Sequence, residues 1–256
     1  MSGVIFLSHI HIPDGILPTV IWVTSYLITL VIIFVLCKKM DGEDVRRKVP
    51  IAGVMAAIML IAMSIPLGFI PLHFSLAVLC GILIGPGLGF IVVFVISMML
   101  AFFGHGGITV VGLNTLIIGS EVLIGAYMFR VLLKHQRIVP RVVLATVIAL
   151  LVSVSLMVAV VGTTIGVAEA LPANQSNHDH QDEVGDDKYY YHEDQEVINY
   201  TLDEAVDGQK YINFTGWSAV LTILLLGIFL ETFVTTLVVK YFVKVRPDLL
   251  QTKTNT

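Results

Sequence analysis

The sequence predicts an all-α protein that crosses a membrane seven times, N-terminus outside and C-terminus inside. Three observations carry that expectation. The 256-residue chain is 56% hydrophobic and only 13% charged, with mean hydropathy +0.89, more apolar surface than a soluble domain buries. Its apolar residues fall into seven runs, at about 16–37, 50–65, 74–84, 88–103, 110–129, 142–167 and 217–241. Its charges are segregated: most basic residues lie within Lys38 to Lys48, Arg130 to Arg141 and Lys240 to Lys253, and most acids lie between Glu169 and Asp207.

The first run follows His9-Ile10-His11-Ile12-Pro13-Asp14-Gly15, where Pro13 cannot donate to a helix and Pro-Asp-Gly is turn chemistry. Residues 16–37 carry no charge, and at ~1.5 Å per residue they reach roughly 33 Å, enough to cross a bilayer core. Lys38-Lys39-Met40-Asp41-Gly42 ends that run, and the second is expected to start after Pro50, a good first-turn residue, and to stop before Pro66 and Pro71. The third, 74–84, is short and stops at Gly85-Pro86-Gly87. The fourth and fifth flank Gly104-His105-Gly106-Gly107, and a second basic loop with Lys134, Arg137 and Arg141 precedes the sixth. The seventh runs from Trp217 into Lys244 and Arg246. Cys37 and Cys80 fall within or at the edge of apolar runs, so no disulfide framework is expected.

Parity tests this topology. Basic loops stay in the cytoplasm, so the chain must cross an even number of times between the clusters at 38–48 and 130–141, and runs two to five supply four crossings. The sixth then leads out to an acidic loop, 171–214, and the seventh returns to a basic C-terminus. On this topology the whole chain is one transmembrane domain with an external acidic, histidine-containing insertion. His9 and His11, His73 in Pro71-Leu72-His73-Phe74, and His105 all meet the outer surface at helix ends. Imidazole is a common ligand for nickel, cobalt, copper and zinc. Taken alone, His105 reads as part of a tight glycine turn, whereas His11 with His73 reads as a metal site.

His11-Ile12-Pro13-Asp14-Gly15, Pro71-Leu72-His73, Gly85-Pro86 and Phe103-Gly104-His105-Gly106-Gly107-Ile108-Thr109-Val110-Val111-Gly112-Leu113-Asn114 resemble the cobalt/nickel substrate-binding components of energy-coupling factor transporters, the CbiM/NikM family. The likeness covers residues 10–134 in motifs and the last two segments in hydropathy. It implies a multi-pass component of a prokaryotic cell membrane. Such a component binds Ni2+ or Co2+ as transported substrate, with no catalytic cofactor, and passes it inward. A transmembrane coupling subunit, cytoplasmic ATPases and a small accessory membrane subunit are its implied partners, with membrane lipid around it and no nucleic acid.

The family's ligand set is an initiator amine, the backbone nitrogen and imidazole of the next histidine, and a histidine after the second helix. Carried over, the histidines are His11 and His73, and the amine falls at Ile10. Ten residues precede His11, a departure from the pattern, so the functional chain is expected to start at position 10, with His9 as the replacement ligand if it does not. His105 and Asn114 match positions read as holding the ligands and their turn. Ala52 and Ala56 lie four apart on the second run and resemble the alanine motif that grips the coupling subunit; ordinary packing explains them equally well.

Two further readings use the same external histidines: a membrane metalloenzyme and a stand-alone metal carrier. His-Glu-x-x-His and paired catalytic carboxylates are absent from the segments, which disfavours the first. A carrier needs a polar pathway, and the segments offer only Glu121 and Glu231. Thr232, Thr235 and Thr236 stand ready to solvate Glu231, which favours a structural role for it. No nucleotide-binding loop occurs, so ATP hydrolysis falls to a partner, and the resemblance implies a transport subunit without enzymatic activity of its own. The topology predicts that an impermeant thiol reagent added outside labels a cysteine placed at position 185 and spares one placed at position 44.

Overall fold

The computed structural model describes residues 18–64, 74–104, 106–165 and 217–246. Among these the regular secondary structure is all helical: α1 (Thr19–Lys39), α2 (Gly42–Ser64), α3 (Ala77–Ile84), α4 (Pro86–Phe102), α5 (Val111–Tyr127), α6 (Ile138–Ile165) and α7 (Trp217–Val245). A π-turn, Met128–Leu132, extends α5. Five helices are long and apolar enough to cross a membrane: α1, α2, α5 with its π-turn, α6 and α7. α4 has 17 residues and α3 only 8, roughly 12 Å of rise.

The surface is inverted relative to a soluble protein. On α1 the buried residues are Ser25 and Thr29, while Leu27, Ile28, Val31 and Phe34 are exposed. On α7, Glu231, Thr232 and Thr235 are buried and Leu225, Phe229, Phe233 and Leu237 face outward. An outward aliphatic band over an inward polar stripe suits lipid as solvent, where inter-helix contact rests on close packing and hydrogen bonds. Ser153 of α6 donates to the Ile117 carbonyl at 3.1 Å, and Thr29 of α1 donates to the Gly112 carbonyl at 2.8 Å.

Both of those carbonyls belong to α5, which packs against α1, α3, α4 and α6 and holds the centre. Gly112 is there because α1 leaves no room: a Cβ on it meets Tyr26 N and Cα at 2.7 Å. Tyr26 adds a short hydrogen bond to the Ile108 carbonyl. These contacts fix the N-terminal half of α1 beside the start of α5. The other end of α1 lies beside the start of α4, where Gly87 faces Met40 and Leu36. α4 and α5 therefore run in opposite directions.

The basic residues collect at that second end. Lys38 and Lys39 close α1, and α2 begins three residues later with Arg46, Arg47 and Lys48 in its first turns. Arg130 donates to the Ile82 carbonyl at the end of α3 at 2.9 Å. Arg141, at the start of α6, donates to the Phe129 carbonyl and lies 3.9 Å over the Phe129 ring.

Several helix bounds differ from expectation, α6 among them, which starts at Ile138 rather than at 142. α2 starts at Gly42, not at Pro50, which lies inside the helix. Its first turns are supported by Asp41 Oδ1, which accepts from Glu43 N–H at 3.2 Å, and by the spaced pairs Glu43–Arg47 and Asp44–Lys48. The expected third span shrinks to α3, because Phe74, Ser75 and Leu76 are not helical. The fourth gains Pro86, seated in its first turn. A Cβ at Gly112 needs backbone to move, so Gly112→Ala is expected to cost about 1–3 kcal/mol and lower the melting temperature in detergent.

Candidate functional site

The residues that the sequence nominated as metal ligands, His9, Ile10, His11 and His73, lie outside the described residues, as does His105, read as holding the turn. What flanks them is described. Gly104 and Gly106, on either side of His105, have φ of +78° and +102°, left-handed backbone that glycine adopts without penalty. Asn114 is buried one turn into α5, and its amide closes that turn on Val110. Ala52 is buried in the chain's own core and Ala56 packs against that core. The methionine stripe Met55, Met59 and Met63 turns the same face of α2 inward.

The described residue just after His73 leads somewhere unexpected. Ser75 and Leu76 are not a surface turn; both are buried. They meet Glu121 of α5 and Glu231 of α7, each near the middle of a membrane-length helix. Ser75 Oγ lies 2.6 Å from Glu121 Oε2 and 2.6 Å from Glu231 Oε1. Leu76 N–H donates to Glu231 Oε1 at 3.0 Å and Ser75 N–H to Glu231 Oε2 at 3.4 Å. Ser75 Oγ also accepts from Ala77 N–H at 3.3 Å.

Glu231 thus caps a helix from another part of the chain. The opening amides of any helix lack internal partners, and in a membrane no water supplies them. The anion also faces the positive end of the α3 dipole. Leu76 sits at φ +51°, ψ +18°, a left-handed conformation that costs a residue with a Cβ about 1–3 kcal/mol and persists only when its surroundings impose it. The bond from its N–H to Glu231 is part of what imposes it.

Hydrogen counting adds a constraint. Ser75 has one hydroxyl hydrogen, which serves one of its two carboxyl contacts. The other contact is a hydrogen bond only when a carboxyl carries a proton. No ion pair joins either glutamate to a base among the described residues.

This pairing corrects two expectations. The segments do bring two carboxylates together, although 110 positions separate them in the chain. And Thr232, Thr235 and Thr236 do not solvate Glu231; their buried hydroxyls have no hydrogen-bond partner, because the carboxylate reaches across to α3. Sequence reasoning flagged each charge but not Ser75, which carries no signal of its own. Among the described residues no three His, Cys, Asp or Glu converge as a metal cage. A cleft of about 700 Å3 opens at the basic end between Leu36, Pro86, Tyr127 and Val152; its one charged lining residue is Arg130.

A family model described as cobalt uptake substrate-specific transmembrane region, CbiM, matches residues 11–249. The chain belongs to the CbiM family. It is thus a membrane component for metal uptake, a transport component rather than an enzyme. Two crystal structures share the fold of this CbiM protein at TM-score 0.57. One is of a transition metal transporter, 19% identical, with 92% of this chain and 93% of that chain covered. The other is of a truncated transition metal transporter, 18% identical, with 91% and 98% covered. No curated protein matches the CbiM chain.

The cap makes a measurable prediction. Glu231→Ala leaves the Ser75 and Leu76 amides unpaired in a dry interior, at about 1–3 kcal/mol for each group, whereas Glu231→Gln keeps a carbonyl acceptor for them. Thermal melting in detergent is expected to rank wild type above Gln and Gln above Ala.

Proposed function

We propose that this CbiM protein is the substrate-specific component of an ATP-driven energy-coupling factor importer of Ni2+ or Co2+. The family match over residues 11–249 carries the proposal. The ion is taken at the outer face by nitrogen ligands from the N-terminal turn and from the turn after α2, His11 and His73. An amine or His9 completes the set, and His105 and Asn114 hold its surroundings. A coupling subunit and cytoplasmic ATPases supply the work, with a small accessory membrane subunit, in a prokaryotic plasma membrane.

The proposed orientation puts the basic end of the bundle in the cytoplasm, since Lys38, Lys39, Arg130 and Arg141 cluster there. α3 alone is too short for a crossing. Its first turn lies at the level of Glu121, midway along α5, and its last carbonyls meet Arg130 at the basic end. The third crossing is then α3 together with the chain before it, which keeps the parity of seven passages. His73 precedes α3 on that path.

A planar set of nitrogens suits Ni(II) and selects by geometry rather than raw affinity. His73→Ala is expected to abolish tight Ni2+ or Co2+ binding by the purified protein while its elution profile and melting temperature stay near wild type. Unchanged affinity removes His73 from the site. Deleting Asn177 to Glu183 is expected to lower uptake only when metal is scarce. Co-purification of the chain from its native host with an ATPase and a coupling protein separates the importer from a stand-alone carrier.

A further inference from the structure

We propose that the cleft at the basic end of the bundle binds an anionic phospholipid, its phosphate on the Arg130 guanidinium and an acyl chain along α5. The inference needs the membrane setting of the chain and not the importer reading.

Shape is the first argument. The cleft's volume of about 700 Å3 falls in the range of small-molecule sites, ~300–1,000 Å3. Leu123, Tyr127 and Val131 line its floor at helical spacing along α5 and its π-turn, so it runs for roughly 12 Å. Leu36 of α1 forms one wall, and Ile148 and Val152 of α6 form the other. Tyr127, Val131 and Val152 are exposed, as Val31 and Phe34 of α1 are, so the groove opens sideways through the outward aliphatic band. Leu123 follows Glu121 by two residues, and Arg130 precedes the end of the span by two. The groove therefore leads from mid-membrane level to the basic end.

Charge complementarity is the second. Arg130 is the one charged residue of the lining, and its guanidinium has five N–H groups to place. Nη2 donates to the Ile82 carbonyl at 2.9 Å, and the buried Nε has no hydrogen-bond partner. No ion pair joins Arg130 to an acid among the described residues. Asp44 is the acid whose field reaches it, and that carboxylate is held by Lys48 at 2.7 Å. Arg141 adds a second positive charge nearby and spends its Nε on the Phe129 carbonyl, which neutralises nothing. An uncompensated guanidinium at the foot of an apolar groove calls for an anion with an apolar tail.

Phospholipid meets both demands at the right levels. A soluble anion makes no use of the apolar walls, and a carboxylate on a partner's membrane helix is itself costly at this depth. Lipid phosphates lie where the span ends, and lipid chains fill the level of Leu123. Basic pockets between transmembrane helices hold anionic head groups in this way, and a guanidinium takes phosphate through parallel N–H bonds. The bound phosphate also steadies the side chain that holds the last carbonyls of α3.

Native mass spectrometry of the full-length, delipidated protein in detergent tests this. It is titrated with phosphatidylglycerol, with phosphatidylcholine of the same acyl chains, and with inorganic phosphate. Wild type is expected to bind a first phosphatidylglycerol about 5–10-fold more tightly than phosphatidylcholine. Arg130→Met is expected to erase that preference while phosphatidylcholine binding stays as it was. Val152→Trp keeps the guanidinium and fills the groove, and is expected to weaken phosphatidylglycerol several-fold, so the test survives an Arg130→Met protein that fails to fold. Equal binding of the two lipids to wild type overturns the proposal, as does an unchanged preference in either folded variant. Displacement of phosphatidylglycerol by an equal concentration of inorganic phosphate overturns it too, leaving a plain anion site. If Val152→Trp instead abolishes self-association or a co-purifying membrane subunit and spares the lipid, the groove belongs to a protein and the proposal falls.

Discussion

A single serine hydroxyl holds the bundle together at its least forgiving level. Ser75 Oγ touches a carboxyl from α5 and a carboxyl from α7, and the amides on either side of it enter the cap of α3. Three elements far apart in the chain meet through groups that lipid cannot solvate. In water each contact contributes modestly, because the alternative is a hydrogen bond to solvent. In a dry bundle the alternative is an unsatisfied group, and register follows: moving α7 by one residue takes Glu231 off the α3 amides. The left-handed Leu76 is tolerated for the same reason.

The apolar bands around this polar centre follow from it. With lipid outside, side chains such as Phe229 and Leu237 do not drive the helices together, since leaving the bundle loses no favourable solvent. Close approach does. Gly81 of α3 lies against the Val122 carbonyl of α5, where a Cβ meets the oxygen at 2.6 Å, and Gly112 plays the same part against α1. Small residues bring backbones near enough for serine and threonine hydroxyls to cross between helices.

The sequence revealed the fold class because lipid imposes a compositional signature: long uncharged runs and segregated charge are readable residue by residue. The structure gathers Lys38, Lys39, Arg130 and Arg141 at one end of the bundle. Helix ends were less legible. Pro50 looked like a start because proline favours first turns, yet the paired charges Asp44–Lys48 and Glu43–Arg47 carry α2 back to Gly42. The third run looked like a span because hydropathy is blind to backbone direction; Phe74 to Leu76 are apolar or small and still not helical. Of the candidate site, the histidines were read from motif likeness, and the structure describes only their flanks. The Glu121–Ser75–Glu231 contact was hidden for a different reason. A tertiary pairing between positions 75, 121 and 231 leaves no periodicity, and each residue alone has an ordinary explanation.

Transport of a small cation through such a bundle faces two opposed demands. Selectivity asks for a rigid, complete ligand set, and release asks that the set be breakable. A nitrogen site at the outer end answers the first under the proposed function, and the short α3 bears on the second. A helix of 8 residues has few internal hydrogen bonds, and its position is set at one end by Glu231 and at the other by Arg130 on the Ile82 carbonyl. Its predecessor in the chain is the segment that carries His73. With both ends of α3 held by single groups, its position depends on whether the Glu231 cap and the Arg130 bond stay made.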